Sequence, residues 1–409
     1  MARLLHVAGR VHQYRSGLHM EQTIPGSMMT AADFTIGVEE EYQLVDPVSG
    51  ALRSGASDLR REDWTGELIA ELQETTIEVG TPICTGIADA EQHLRRLRIQ
   101  AGTVAATHRL AIVAAGLHPF SMWEGHERPP IERYRAIEAR YGRIARDEHI
   151  FGMHVHVGVP ESVNRLHLMN AVRHYLPHLL ALSGSSAFFE GADTGFSSYR
   201  TILWRRWPNS GIPPRFESET EFRQYVETLL DAGVMADPWN LYWSMRPHPT
   251  YPTVEFRVMD VCPSLRDAVA LAALGRALVH AAASGVITDD LPRHMPAGME
   301  QELLRINEWR AARDGLDGRM IDTATGTGHR PVRDAIRFLL DRISRSAEEL
   351  GDMDALSHIE RILERGNAAE RMRVRHREGA TLRELVAWLM SESLVGTGLD
   401  RRGTQRETR

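Results

Sequence analysis

The sequence predicts an α+β fold: a largely antiparallel sheet with one accessible face and helices on the other side, and a helical C-terminal third. Three observations predict it. Short runs rich in β-branched residues carry polar groups at alternate positions, which calls for one accessible sheet face rather than a parallel sheet covered on both sides. Segments between these runs place apolar residues at helical spacing. From Pro296 to about Glu392 the pattern is helical throughout.

Residues 1–32 have no continuous apolar core and are expected to form a flexible leader rather than a secretory signal. Phe34 to Leu44, "FTIGVEEEYQL", reads as a strand, followed by a link through Arg60–Trp64. "ELIAELQE" is expected to be helical and "TTIEVGTPIC" a strand. Asp89 to His108 is an amphipathic helix with Leu94, Leu97 and Val104 on its apolar face. "LAIVAAGLHPF" is a buried strand, and Ile131–Arg143 a polar helix. The strand "IFGMHVHVGVP" precedes a helix from Ser162 to Leu182, with Asn164 near its start. A loop rich in Gly, Ser and Trp spans Gly191–Pro214. "YPTVEFRVMDVCP" is the last strand, and Ser264 is placed to cap the alanine-rich helix running to Ser284. One domain over 33–395 is expected, with 297–395 its helical part and 396–409 a solvated tail.

The 409 residues, 43% of them hydrophobic, suffice for a large core. A net charge of -7 and a pI near 6.3 leave no basic footprint for nucleic acid. No apolar run approaches the roughly 20 residues of a membrane span. Cys84 and Cys262 lack CxxC spacing and cannot form a disulfide framework of the secreted kind, and both are expected to be buried small residues in a reducing cytoplasm. The chain has no lysine, so all 48 basic residues are arginine. That excludes a Walker-type phosphate loop and Schiff-base chemistry. Arginine holds phosphate by a bidentate fork but cannot serve as a base.

Three consecutive glutamates in "VEEEY" pose the functional question. On a strand, Glu39 and Glu41 share one face and Glu40 takes the other. Alone, the pair suits a charged edge strand as well as a cation site. The same spacing recurs in His154 and His156 of "GMHVHVG" and in Glu255 and Arg257 of "TVEFRVMD", while Glu78 interrupts a fourth strand between Ile77 and Val79. Each element has a bland reading, as satisfied histidines or an exposed ion-pair ladder of little energetic worth. Four strands with face-matched ligand-type residues instead point to one site. Carboxylates with imidazole suit Mg²⁺ or Mn²⁺, and several carboxylates around cations suit a nucleoside triphosphate.

These segments resemble the glutamate-cysteine ligase type 2 family, in its carboxylate-amine ligase branch within the glutamine synthetase-like superfamily. The resemblance rests on "IGVEEEYQLVDPVSG", "TTIEVGTPIC", "GMHVHVGVP", "SSYR", "TVEFRVMDVCP" and, more loosely, "LERGNAAERMR". It implies a curved, funnel-shaped catalytic sheet, ATP with Mg²⁺ or Mn²⁺, a carboxylate such as L-glutamate and an amine as substrates, and amide formation through an acyl phosphate, with weak glutamate–cysteine ligase activity. Glu39, Glu41, Glu78, His154 and Glu255 would be metal ligands, with Glu39 and Glu255 also catalytic. His156 and the catalytic Arg257 would meet the nucleotide phosphates, and Tyr199 and Arg200 the substrate carboxylate. A homo-oligomer is expected. Ala368 and Met372 stand where the family pattern has glycine and glutamine; Arg365, Arg371 and Arg373 nearby read as a solvated helix face. The "WRRWPNSGIPP" loop reads either as a lid or as core filling. Two alternatives are a metal-dependent amide hydrolase using His154 and His156, and a nucleotide-binding relative without turnover.

Overall fold

The computed structural model of the chain describes residues 29–397 apart from 65–66, 123–124, 127, 130, 289–294 and 324–327. Of the leader expected at 1–32 and the tail expected at 396–409, residues 1–28 and 398–409 lie outside the described residues, and Ala31–Asp33 forms a 3₁₀ turn. The main sheet contains β1 (Ile36–Val45), β2 (Glu67–Ala70), β3 (Thr76–Gly80), β4 (Ala111–Val113), β5 (Gly152–Gly158), β8 (Met245–Pro247) and β9 (Thr253–Asp260). Their order is β2-β3-β1-β5-β9-β8, with β4 also paired to β1, and every pairing is antiparallel. Two hairpins complete the strands: β6 (Phe188–Phe189) with β7 (Ala192–Asp193), and β10 (Arg319–Ile321) with β11 (His329–Pro331).

Alternation along the strands gives the sheet two different faces. Val38, Tyr42, Ile77, Val79, Val155 and Phe256 are buried in the main core. The helices Ile87–Thr107 and Leu265–Ala283 cover this face, with Gly275 of the second packed over Phe256 and Val155. The opposite face carries the polar positions and holds the site.

Glu40 lies on the core face, and its surroundings explain the triple glutamate. It is fully buried, and Arg98 of the first covering helix grips it with Nε at 2.9 Å and Nη2 at 2.5 Å. The Tyr42 hydroxyl also donates to it at 2.5 Å. Arg98 spends its remaining donors on the carbonyls of Cys262, Pro263 and Ser393, tying the sheet to the C-terminal helix.

Several local expectations need correction. "ELIAELQE" contributes a strand, because Leu68 pairs with Val79 and four residues before a turn are too few for a helix. The helix expected over Ser162–Leu182 is two helices, Arg165–Val172 and Leu176–Ser183, separated by a 3₁₀ turn. Pro177, with no N–H to give, opens the second. Asn164 caps the first of these, whereas the Ser264 side chain makes no capping bond. Strand β4 covers only three residues of "LAIVAAGLHPF", and the β10–β11 hairpin interrupts the helical third. Arg365, Arg371 and Arg373 do not form a solvated face: the first two pair with Asp267, Arg371 also with Glu392, and Arg373 with Asp193. Met372 is fully buried beside Leu385 and Leu389 in a second core cluster.

Candidate active site

Antiparallel register brings the polar positions of separate strands opposite one another. Glu39 faces His154 across β1 and β5, and Glu41 faces Glu78 across β1 and β3. His156 faces Glu255, which in turn faces Arg246 on β8. Residues opposite one another share a sheet face, so one face holds all of them.

A carboxylate-rich half occupies the β3–β1–β5 region. His154 Nδ1 lies 3.1 Å from Glu39 and 3.8 Å from Glu78, and His156 Nε2 lies 3.3 Å from the same Glu39 oxygen. Burial alone would raise the pKa of Glu39, but the His154 hydrogen bond and the close approach of His156 outweigh it and hold the carboxyl far below its usual range. Glu78 behaves oppositely: burial, then the neighbouring Glu71, push it well up. Burial also raises Glu41, which accepts the Gly152 amide. Glu39, Glu78 and His154 offer donor atoms within 4.8 Å of one another, as do Glu41, Glu71 and Glu78. Two groups sharing Glu78, with mostly oxygen donors and one imidazole, fit two neighbouring Mg²⁺ or Mn²⁺ ions. The donor chemistry therefore fits the ions the resemblance implies.

A cationic half adjoins it. Arg246 forks onto Glu255 at 2.7 and 3.2 Å, and Arg257 pairs with the same carboxylate. Burial would raise Glu255, but the two guanidiniums hold it well below the ordinary carboxylate range. Thus Glu255 stands beside His156 and His248 rather than in the Glu39–Glu78–His154 group. The tautomer of His248 is fixed by its turn, since Nδ1 accepts the Thr250 and Tyr251 amides at 3.1 and 2.9 Å. An Nδ1 that accepts carries no proton, so Nε2 does, making His248 a donor suited to an anion rather than a neutral metal ligand.

Arg200 reaches the site from the helix Tyr199–Trp204. It is almost fully buried, its Nη1 lies 3.8 Å from Asp260, and its Nη2 donates to the Arg257 carbonyl at 3.4 Å. Tyr199, half-buried, packs on Phe189 and Phe196. The placement of Arg200 depends on an irregularity in β9: Val155 pairs with Phe256 but Met153 pairs with Met259, so β9 carries one extra residue. That extra residue turns Asp260 onto the site face opposite Gly152. There it accepts from Ser185 N, Ser186 Oγ and Ser198 Oγ and anchors the segment bearing Arg200. In the "WRRWPNSGIPP" loop, Trp207 is buried, whereas the Arg257 guanidinium lies 5.7 Å from the Trp204 ring centroid.

Sequence reasoning missed Glu71, Arg246 and His248. Glu71 lies just past β2 in irregular chain, where no alternation marks it. A signal for His248 existed: "HPTY" repeats the pattern of "HPFS", where His118 Nδ1 likewise accepts the amides of Phe120 and Ser121. Two surface clefts of about 300 and 370 Å³ around Arg266, His358 and Arg361 share no residue with the site.

The fold is that of the glutamate–cysteine ligases. It resembles a glutamate–cysteine ligase of Francisella tularensis solved in complex with AMP, at TM-score 0.67 and 13% identity, covering 92% of this chain and 90% of that one. It also resembles a bifunctional glutathione synthetase of Pasteurella multocida, at TM-score 0.64 and 14% identity, over 90% of this chain and 53% of that one. In sequence, the chain is 38% identical to proteins provisionally named glutamate–cysteine ligase 2 from Solibacter usitatus and a Roseiflexus species. These matches cover 88% and 89% of this chain and 94% and 95% of theirs. The model of glutamate-cysteine ligase family 2 matches residues 35–387, and the chain belongs to that family.

Proposed function

We propose that this protein is an ATP-dependent carboxylate–amine ligase that forms an amide of the γ-glutamyl type, with L-glutamate as the acid and weak glutamate–cysteine ligase activity. One observation carries the reading: a single sheet face sets a carboxylate–imidazole cluster beside two arginines and a donor histidine. The first half suits divalent cations and the second a polyphosphate.

A carboxylate resists direct attack by an amine because its leaving group is poor. In the proposed reaction an oxygen of the acid attacks the γ-phosphorus of ATP, the bond to the ADP oxygen breaks, and an acyl phosphate forms. The amine nitrogen then attacks the acyl carbon, phosphate departs, and the nitrogen gives up a proton. Divalent ions, when bound, neutralise the triphosphate and the transferring phosphoryl group. Glu39, Glu41, Glu71, Glu78 and His154 are the residues to hold them. Arg257, Arg246, His156 and His248 contribute fixed positive charge and N–H donors toward phosphate oxygens. Glu255 positions both arginines and, once they turn to phosphate, is free to meet a cation. Arg200 is placed to hold the substrate carboxylate, with Tyr199 flanking it.

The test is ADP release with Mg²⁺ and ATP, adding L-glutamate alone and then with amines, for wild type beside Glu255→Gln. Release that needs both acid and amine, and falls about a hundredfold in the variant through loss of a charge contact of roughly 3 kcal/mol, is expected. No release with any acid–amine pair would refute the ligase reading.

A further inference from the structure

Glu148 is a buried acid with no role in the reaction above. Glu148 lies just before β5, its side chain only 10% exposed, and among the described residues neither carboxylate oxygen accepts a hydrogen bond of good geometry. A buried carboxylate left this way is costly, because lost hydration is not replaced. The polar atoms around it are similarly unsatisfied. Among the described residues, Arg206 approaches Glu148 to 3.7 Å through an Nη2 that makes no hydrogen bond of good geometry, and the Trp207 indole N–H faces the carboxylate and draws its pKa down without reaching good hydrogen-bond geometry. Arg206 Nη1 lies 3.6 Å from Asp147. Arg200, whose Nε is also unsatisfied, and Glu41 act on Glu148 from the site side, one attracting and one repelling. Under-satisfied donors and an under-satisfied acceptor are therefore gathered where both Arg200 and Glu41 act on them. Burial raises the Glu148 carboxyl to about 8, so a cation docking there would restore its charge.

We propose that Glu148 is a specificity-determining residue that receives a substrate ammonium group, while Arg200 and Arg206 hold the carboxylate next to it. The inference rests on the ligase reading and adds the recognition of a zwitterion or an amine cation. The ammonium has two chemical sources, the α-ammonium of the acid whose distal carboxylate is activated, or the incoming amine before it loses its proton. Both place an N–H donor on the same under-satisfied oxygens.

The experiment compares wild type, Glu148→Gln and Glu148→Asp with Mg²⁺ and ATP, using hydroxylamine as an uncharged nucleophile and hydroxamate as the readout. L-glutamate is set against glutarate, which has the same two carboxylates and no ammonium. If the acid supplies the ammonium, Glu148→Gln raises KM for L-glutamate by about tenfold or more, leaves glutarate unchanged, and Glu148→Asp restores part of the loss. If the amine supplies it, hydroxylamine kinetics are unchanged for both acids, and KM rises for L-cysteine or ethylamine in the ADP assay. Unchanged kinetics for every pair would overturn the proposal. The thermal midpoint of Glu148→Gln is expected to equal or exceed that of wild type, since the variant removes a poorly solvated acid; a marked fall would assign Glu148 a structural role and overturn it too. A wild type forming no hydroxamate and releasing no ADP would instead sink the ligase reading. Calorimetric titration of L-glutamate and glutarate into wild type and Glu148→Gln then separates the two sources: loss of preference for L-glutamate assigns the ammonium to the acid, whereas an unaltered preference together with an unchanged KM for L-cysteine and ethylamine refutes the site.

Discussion

Glu40 and its neighbours show how adjacent, identical residues acquire unrelated tasks. Glu39 and Glu41 face the site, while Glu40 anchors Arg98 within the core, with both side chains wholly buried. Removing one partner of such a pair leaves an uncompensated buried charge. Glu40→Gln or Arg98→Met alone should therefore cost about 3 to 5 kcal/mol in urea unfolding, and the double variant Glu40→Leu with Arg98→Met considerably less. Equal losses in single and double variants would show that the ion pair is not the source. At this scale the sequence was readable where a period of two applied: Glu39, Glu41, Glu78, His154, His156, Glu255 and Arg257 all sit where strand alternation puts them. The role of Glu40 was not readable, because its partner comes from a helix 58 residues away. Glu148 was equally hidden, one of two adjacent acids between a polar helix and a strand, with no periodic pattern to mark it.

Among the elements, the extra residue in β9 matters most for substrate binding. Without it Asp260 would turn toward the core, and the serines at 185, 186 and 198 would lose their common acceptor. Asp260→Asn should therefore loosen Arg200, raising KM for the carboxylate about tenfold while leaving KM for ATP near its wild-type value. A change confined to ATP would assign Arg200 elsewhere. Alternation reveals a strand but not a one-residue irregularity within it, so this feature required the pairing partner. The short strand β2 escaped for a related reason: "ELIAELQE" has ordinary helical propensity, and pairing with β3 overrides it. Long helices were easier, as Ile87–Thr107 and Leu265–Ala283 fall within two residues of the ranges their periodicity suggests.

Across the whole molecule, the α+β architecture followed from alternating strands and the helical last third, and the glutamate–cysteine ligase fold agrees with it. Burial of neutral histidines sets how the molecule responds to acid. Burial lowers His118 and His178 to about 4 and His149 to about 3. An unfolded chain protonates its histidines near 6.5, so between that value and about 4 it binds more protons than the folded one. Stability therefore rises with pH across this window and is lost as pH falls through it. Glu148, raised to about 8, opposes this slope, because the unfolded chain binds fewer protons between its ordinary value and 8. Glu41 and Glu78, also raised by burial, oppose it in the same sense, so the histidine share is read by difference: His149→Gln should flatten the urea midpoint between pH 6.5 and 4 relative to wild type, and an unchanged profile would contradict this environment.

The most direct test of ligation through an acyl phosphate follows an oxygen atom. L-glutamate labelled with heavy oxygen in its side-chain carboxylate is turned over with ATP, Mg²⁺ and an amine, and the released phosphate is examined by mass spectrometry. The proposed route requires one labelled oxygen in each phosphate, transferred when the amine displaces the acyl phosphate. Unlabelled phosphate accompanying amide formation would contradict it.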